Sequence, residues 1–397
     1  MKTKKTVLIS VIAILEIILS LYIILATVTY CMFPPQFLSR VLTHYDSDAT
    51  DYKIFPERKI EKGNSPYIYK KTDSSLSELP IKYTDGKNQK NKILQSFVND
   101  TKTTSFLIVK DGTLIYEQYA NGYGKNSVNT SFSMAKSIVS LLIGKAIEEG
   151  YILSVKQPIS DYIIEFKDKS IGNTTIEQLL LMRSDIEYDE DKFLWFGDDS
   201  LTYWHPDLRK LALEHAAMTS KYNGKFHYNN YHPLLLGIIL ERSTSLSVSE
   251  YFEKTFWRNI GAEENASWSL DSEKSAFEKM ESGINFRAKD FIKIGSMLLD
   301  KGKWEGKTLI SESWIHQSVY GEYDSLEYSG TFLEKKNVGY KYMWYYVNNS
   351  TDFFAWGKSD QILYISPENN TVILRCGKTD GEVKNWIEVI KNIADTL

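Results

Sequence analysis

The chain has 397 residues, 43% of them hydrophobic and 25% charged, a balance typical of a folded globular protein that excludes a disordered or collagen-like chain. Its 51 acidic and 47 basic residues give a formal net charge of −4, which does not fit a dedicated nucleic-acid-binding protein, because such proteins carry an excess of basic residues. With only two cysteines, Cys31 and Cys376, a disulfide scaffold and a cysteine-rich metal centre are excluded as well.

The N-terminal segment is predicted to be a transmembrane anchor. Residues 6–33 form an apolar run interrupted by one charged residue, Glu16. As a helix this run is about 42 Å long, more than the ~30 Å hydrocarbon core of a bilayer. A cleaved signal peptide usually has a shorter apolar stretch and a small-residue cleavage site, so an uncleaved anchor is favoured over a long signal peptide. Lys2, Lys4 and Lys5 precede the run, which predicts a cytoplasmic N-terminus and an extracytoplasmic body at the cell membrane.

The next segment, residues 34–85, is polar and punctuated by prolines. It is predicted to be an extracytoplasmic stalk together with a segment packed on the main domain, which then comprises residues 86–397. Two β-rich runs, residues 105–110 and 113–119, are separated by Asp-Gly and predict a tight hairpin.

The remaining pattern places β elements on both sides of a helical insert. An apolar helix is predicted over residues 133–149 and an amphipathic one over 382–397, with mostly helix and loop from 152 to 300. Strand-like runs return at residues 342–347, 361–366 and 371–375.

Ser133 and Lys136 form the single Ser-x-x-Lys sequence in the chain, within the predicted apolar helix. Residues three apart share one face of a helix. The serine would lie at the positive end of the helix dipole, which favours an alkoxide. The lysine would lose hydration, which favours its acting as a proton acceptor for the nucleophile.

Two further segments carry candidate chemistry. Tyr228-Asn229-Asn230 precedes an apolar helix, and a tyrosine beside a lysine can relay protons while an asparagine can bind a substrate amide. Trp356-Gly357-Lys358-Ser359-Asp360-Gln361 opens a β-rich run, where a small residue lets a main-chain N–H approach a substrate oxygen.

In their order along the chain, these three motifs resemble those of the penicillin-recognising serine hydrolases. They are most similar to the class C β-lactamase-like branch that includes 6-aminohexanoate-dimer hydrolase and related esterases. Phe132-Ser133-Met134-Ala135-Lys136, Pro158-Ile159-Ser160-Asp161-Tyr162 and the Leu-Leu-Leu-Met stretch at 179–182 also match landmarks of that group. The resemblance covers residues 105–375. It implies an α+β fold, an antiparallel sheet flanked by helices plus an all-helical lobe, here preceded by the transmembrane helix.

The resemblance also implies roles for individual residues, and it implies no metal and no cofactor. Ser133 would be the acylated nucleophile, Lys136 its proton partner and Tyr228 the general base and acid. Asn230, Lys358, Ser359 and Gln361 would bind substrate, with Lys358 supplying positive charge and the main-chain N–H groups of Ser133 and Gln361 forming an oxyanion hole. The chain departs from the group at Asp360 and Asp185, where the relatives usually have glycine. A carboxylate at 360 aimed at the site would oppose a developing oxyanion.

The expected function is an outward-facing serine hydrolase that cleaves an amide, an ester or a short peptide through an acyl-enzyme. Alternatives are a D,D-carboxypeptidase, transpeptidase or β-lactamase activity on cell-wall-like substrates, and a non-catalytic penicillin-binding-like sensor. The aromatic and acidic stretch 188–204 is interpreted as a lid over the substrate, with an acidic metal site and a solvated loop as alternatives. The oligomeric state is not assigned.

Overall fold

The computed structural model describes residues 2–72, 75–190, 194–321 and 331–397. The helices there are α1 (Lys2–Met32), α2 (Pro35–His44), α3 (Leu94–Asp100), α4 (Met134–Glu148), α5 (Ile176–Leu180), α6 (Asp198–Trp204), α7 (Leu208–His215), α8 (Tyr231–Thr244), α9 (Val248–Phe252), α10 (Ala288–Leu299), α11 (Glu312–Val319), α12 (Phe332–Lys336) and α13 (Trp386–Thr396).

The strands are β1 (Glu57–Ile60), β2 (Lys70–Lys71), β3 (Pro80–Thr84), β4 (Gln89–Ile93), β5 (Thr103–Lys110), β6 (Thr113–Tyr119), β7 (Val128–Thr130), β8 (Ala266–Ser269), β9 (Ile284–Arg287), β10 (Lys303–Trp304), β11 (Lys307–Thr308), β12 (Val338–Lys341), β13 (Trp344–Val347), β14 (Phe353–Gly357), β15 (Gln361–Ser366) and β16 (Thr371–Gly377). The predicted hairpin is confirmed as β5 and β6, and the predicted apolar helix as α4.

The main sheet has eight strands in the order β12-β13-β14-β15-β16-β5-β6-β2, all antiparallel except the short β2, which runs parallel to β6. Its strands therefore come from both ends of the domain, with the helical insert between them. The side chain of Val372 on β16 faces Gly295 of α10, and Arg375 on the same strand stacks on Trp386 of α13. Side chains alternate between the two faces of a sheet along a strand, so residues 372 and 375, three apart, point to opposite faces. The helices α10 and α13 therefore cover opposite faces of the sheet. This is the predicted α+β architecture.

Part of the segment 34–85, predicted as a stalk together with a segment packed on the main domain, supplies strands to the sheets. β1 pairs with β8 at the edge of a second, four-stranded sheet of order β1-β8-β9-β7, and β2 extends the main sheet. These ladders satisfy main-chain groups that an isolated stalk would leave to water.

The chain divides into two compact units. One comprises Met1–Ser47 together with Asp189–Pro206, and the other comprises Asp48–Tyr188 together with Asp207–Leu397. The first unit holds α1, α2 and α6, and the second holds both sheets. Within the described residues, α1 is the one helix long and apolar enough to cross a membrane, over Val7–Met32, and none of its most apolar window is buried.

Candidate active site

Ser133 immediately precedes α4, and Lys136 lies on the first turn of that helix. The Lys136 ammonium donates a hydrogen bond of 2.9 Å to Ser133 Oγ. Lys136 is almost fully buried, with 2% of its surface exposed, because the surrounding positions of α4 are apolar. The i, i+3 spacing therefore brings the predicted nucleophile and its predicted proton acceptor to within direct proton-transfer distance.

The residue before the nucleophile has an unusual backbone. Phe132 adopts a left-handed conformation with φ of 42°, which is rare for an aromatic residue. The neighbouring Ser131 fixes this turn, because its hydroxyl donates to the Phe132 carbonyl and its main-chain N–H donates to the Ile284 carbonyl. The chain thus turns sharply between β7 and α4, and Ser133 lies at the bend.

A main-chain carbonyl accepts the second hydrogen bond of Lys136. Lys136 Nζ donates to the carbonyl oxygen of Glu281 at 2.9 Å. The Glu281 carboxylate pairs with Lys279 at 3.0 Å, and both side chains are 2% exposed. This buried ion pair holds the loop that presents the Glu281 carbonyl, so the segment just before β9 orients Lys136.

Tyr228 lies on the other side of Lys136. The Lys136 ammonium is 4.9 Å from the centroid of the Tyr228 ring, within the range of a cation–π contact. Tyr345 on β13 is hydrogen-bonded to Tyr228 and buried, and burial, followed by the proximity of Tyr228, raises the pKa of Tyr345 well above its ordinary value. Tyr345 therefore stays protonated and can donate to the Tyr228 oxygen.

The end of β14 closes on the beginning of α4. A Cβ placed on Gly357 would lie 2.9 Å from the main-chain nitrogen of Ser133 and 2.5 Å from the Ser131 carbonyl oxygen. Only glycine permits this approach without displacing backbone. After it, Ser359 and Asp360 both have positive φ, 60° and 53°, and form a tight turn beside the nucleophile.

Arg375 supports that turn from the adjacent strand β16. Its guanidinium donates to the carbonyl oxygens of Ser359 and Asp360, the latter at 2.9 Å. It also donates to the carbonyls of Thr379 and Thr101 and to the Thr103 hydroxyl. The side chain is fully buried, and burial lowers the pKa of Arg375 to about 10, which leaves the group charged at neutral pH.

These elements enclose a cavity of about 460 Å³. Four of its eleven lining residues are aromatic, and three others are lysine or aspartate. The lining residues are Ser133, Tyr228, Phe332, Tyr345, Trp356, Gly357, Lys358, Ser359, Asp360, Thr379 and Asp380. Five of the seven residues expected from the sequence meet here or directly beside it: Ser133, Lys136, Tyr228, Lys358 and Ser359.

The other two expected residues are held elsewhere by their side chains. Asn230 donates to the Tyr188 hydroxyl at 2.7 Å at the beginning of α8, and it does not line the cavity. Gln361 is 1% exposed, donates to the Gly377 carbonyl at 2.6 Å and accepts from the Gly377 N–H at 3.1 Å. It joins β15 to β16 and lies outside the cavity lining.

The two departures from the related group occupy left-handed positions, where glycine is the usual residue. Asp185 has φ of 55°, and its carboxylate accepts the Gly224 N–H at 2.8 Å. Asp360 accepts the Trp356 indole N–H at 2.8 Å. Burial raises the pKa of the Asp360 carboxyl, while the charge of Arg375 opposes that rise. Each carboxylate therefore stabilises its own turn, which compensates for the Cβ.

The histidines near the tyrosine motif have structural partners. His227 stacks on Tyr222 at 3.8 Å and bonds the Tyr188 carbonyl at 2.9 Å. His232 is buried in α8 with Nε2 2.6 Å from Ser184 Oγ, and burial lowers the pKa of His232 to about 3. Among the residues that the structure describes, no group of three or more His, Cys, Asp or Glu side chains is arranged to hold a metal ion. Asp191, part of the stretch considered for such a site, lies outside those residues.

Four residues that support the site were not anticipated from the sequence: Phe132, Glu281, Tyr345 and Arg375. Their contacts depend on a backbone with positive φ or on packing between residues distant in sequence. No local sequence pattern predicts such a backbone or such packing. Only the position of Arg375, a charged residue inside an otherwise apolar strand, is a signal that sequence inspection could have used.

Residues 91–397 match the family model "Beta-lactamase". The chain is 23% identical over 305 residues to 6-aminohexanoate-dimer hydrolase from Paenarthrobacter ureafaciens, covering 74% of this chain and 77% of that protein.

Two solved structures extend the likeness to the fold. A protein from Bacillus anthracis, provisionally named 6-aminohexanoate-dimer hydrolase, superposes with a TM-score of 0.75 at 22% identity over 88% of this chain and 92% of its own. A class C β-lactamase mutant superposes with a TM-score of 0.56 at 14% identity over 77% and 95%. A family model that spans most of the chain and these shared folds together identify the chain as a member of the β-lactamase family of serine hydrolases.

Proposed function

We propose that the chain is a membrane-anchored, extracytoplasmic serine hydrolase that cleaves an amide or ester through an acyl-enzyme on Ser133. The observation that carries this proposal is the 2.9 Å hydrogen bond between Lys136 Nζ and Ser133 Oγ, at the opening of an aromatic-walled cavity. An activated serine needs a proton acceptor within this distance, and no metal or cofactor is required.

Acylation begins when Ser133 Oγ attacks the carbonyl carbon of the substrate and forms the new C–O bond. The hydroxyl proton passes to the Lys136–Tyr228 pair, which then gives a proton to the departing amine or alcohol as its bond to the carbonyl carbon breaks. In the second half, water attacks the ester carbonyl and gives a proton to the same pair. The bond between the carbonyl carbon and Ser133 Oγ then breaks, the pair returns a proton to Ser133 Oγ, and a carboxylic acid leaves.

The negative charge that develops on the carbonyl oxygen needs two N–H donors. The Ser133 N–H lies at the beginning of α4, where helix geometry supplies no acceptor. We assign the second donor to the N–H of Lys358 rather than of Gln361, since Lys358 directly follows the close approach of Gly357 to Ser133 and lines the cavity.

The cavity favours a small substrate with an apolar acyl portion, because Tyr228, Phe332, Tyr345 and Trp356 form its walls. Lys358 in the lining is suited to a substrate carboxylate. The relative from Paenarthrobacter ureafaciens is named for the 6-aminohexanoate dimer, which makes dimers of amino acids of this kind the first compounds to test.

The anchoring part of the proposal depends on α1. Its apolar span covers 26 residues, enough for about 39 Å of helix. Three lysines precede the span, so the positive-inside rule orients the catalytic domain outward.

A fluorophosphonate probe and a fluorescent penicillin test the reaction class on the full-length protein in detergent. We expect the phosphonate to label the wild type and Ser140→Ala, a control serine in the same helix, but neither Ser133→Ala nor Lys136→Ala. Added penicillin labelling would redirect the substrate to the cell-wall-like alternative. Failure of both probes on folded protein would favour the sensor alternative and reject the hydrolase.

A further inference from the structure

Most of the stretch that the sequence suggested as a lid belongs to the unit that contains α1. Residues 189–206 leave the catalytic unit after Tyr188 and return to it at Asp207, and they cluster with Met1–Ser47. Two hydrogen bonds between Asp189 and Asp198 close the base of this excursion. The Asp189 N–H donates to the Asp198 carboxylate at 2.8 Å, and the Asp198 N–H donates to the Asp189 carbonyl at 2.9 Å. Residues 194–206 are called the anchor-binding segment below.

A specific hydrogen bond joins the anchor-binding segment to the last part of α1. The Trp195 indole N–H donates to Thr29 Oγ1 at 2.8 Å, and the Thr29 hydroxyl in turn donates to the Leu25 carbonyl at 2.9 Å. Thr29 is fully buried, whereas the α1 residues on the bilayer side of it are largely exposed. A threonine buried on an otherwise unburied helix marks the place where that helix meets a protein partner.

Aromatic contacts continue the interface along α2. The ring centroids of Phe33 and Phe196 are 6.3 Å apart, and those of Phe37 and His205 are 6.4 Å apart. The next two turns are covered by Trp204, whose ring stacks on His44 at 5.5 Å and whose carbonyl accepts a hydrogen bond of 3.0 Å from Arg40.

Removal of α1 would break this interface. Cleavage by a signal peptidase after the apolar run would leave the buried Trp195 N–H without its acceptor and Phe196 without Phe33. An unsatisfied buried donor destabilises the arrangement that buries it. Tryptophan, phenylalanine and tyrosine at the end of a span are also the residues enriched where a bilayer meets water.

We propose that the anchor-binding segment binds the end of the α1–α2 anchor, which is retained in the mature protein. The catalytic domain is then fastened at the membrane surface twice, through the chain at Ser47 and through residues 194–206. This inference rests on the proposed membrane anchoring and adds to it a second, non-covalent attachment.

To test this proposal, the covalent attachment is cut by a protease, and the non-covalent attachment through residues 194–206 is then measured alone. A site for a specific protease is inserted between Tyr45 and Asp46, both exposed, in the full-length protein in native membranes. Membranes are pelleted before and after cleavage, and fluorophosphonate labelling of Ser133 follows the folded catalytic fragment. We expect the fragment to stay in the pellet of the wild type, and Trp195→Ala to shift most of it to the supernatant.

Two further variants refine the comparison. Trp195→Phe keeps the ring and removes the N–H, so the released-to-bound ratio should rise about threefold to tenfold, the effect of one hydrogen bond. Trp304→Phe, on the β10–β11 hairpin of the other unit, should behave as wild type. Equal release of wild type and Trp195→Ala after cleavage would overturn the second attachment. If the uncleaved protein were absent from the membrane pellet, the anchor itself would be overturned. Fluorophosphonate labelling of Ser133 in the supernatant would then still show a working hydrolase.

Discussion

Arg375 donates a hydrogen bond of 2.9 Å to the main-chain carbonyl of Asp360, three residues after Gly357 closes on Ser133. All five of its N–H donors have acceptors, and three of these are carbonyls in the turns that border the cavity. Arg375 is therefore a positioning residue for the loop proposed to bind the oxyanion.

Replacement of Arg375 tests that role. Lysine offers three donors in place of five, so Arg375→Lys is expected to destabilise the fold by about 2–4 kcal/mol and to lower kcat in protein that is still folded. Urea unfolding and kcat below the melting transition measure the two effects. Arg242→Lys is the matched control, since Arg242 pairs with Glu165 on the surface and its loss should cost about 1 kcal/mol or less. Unchanged kcat in folded Arg375→Lys would contradict the role.

A substitution at Gly357 tests whether the close approach of β14 to Ser133 matters for activity. In Gly357→Ala the new methyl group would lie 2.9 Å from the Ser133 nitrogen, which must move. We expect kcat to fall by about 10²–10³, the effect of losing one oxyanion donor. Gly124→Ala has open space around the new Cβ and no positive φ, so it should retain full activity. Comparable kcat in the two variants would argue against the close approach.

The carboxylate of Asp360 is expected to have little effect on kcat. It accepts the Trp356 indole N–H and faces Arg375, so Asp360→Asn keeps the hydrogen bond while removing the charge. The expected change in kcat is less than about threefold, roughly 0.6 kcal/mol. A tenfold rise would mean that the carboxylate opposes the oxyanion. Asp185→Asn, at the other left-handed aspartate, provides the comparison.

Lys358 is expected to select for charge in the substrate. Lys358→Gln should raise KM by up to about fivefold for substrates with an acyl-side carboxylate, and little for neutral analogues of the same length. Parallel KM measurements at low and high salt check this, because salt screens an exposed charge. An equal rise for both substrate types would contradict the selectivity.

His232 predicts a pH dependence of stability. Its pKa in the folded chain is about 3, below the ordinary 6.5, because burial disfavours the charged ring. As pH falls, His232 of the unfolded chain therefore binds a proton before His232 of the folded chain does. The contribution of the neutral, buried His232 to the free energy of unfolding is complete above pH 6.5 and is lost as pH falls toward 3. The expected slope is about 1.4 kcal/mol per pH unit in that window.

Urea unfolding at pH 7.5, 5.5 and 4.5 measures the His232 contribution. His232→Asn should reduce the slope, while His215→Asn, at an exposed position of α7, should leave it as in wild type. Parallel slopes in all three proteins would show that His232 does not set the acid sensitivity.

Local sequence patterns predicted some parts of the molecule well. The hairpin of β5 and β6, the helix α4 and the pairing of Ser133 with Lys136 depend on turn chemistry, apolar periodicity and helix spacing, which act over a few residues. Asn230 and Gln361 were assigned to the substrate, yet their partners, Tyr188 and Gly377, become neighbours only through tertiary packing.

The stretch 188–204 illustrates the same limit. Its aromatic residues were recognised, but the position of their partners on α1 and α2, more than 150 residues earlier, could not be inferred from periodicity. A buried tryptophan N–H requires an acceptor, and the sequence alone offers many.

The acceptor that orients Lys136 is the main-chain carbonyl of Glu281, not a side chain. Every amino acid carries that carbonyl, so a mutation at codon 281 changes the buried ion pair with Lys279 without deleting the acceptor. A substitution at this position therefore reaches Lys136 only through the loop that the ion pair holds, whereas an insertion, a deletion or a proline before β9 would displace the carbonyl itself.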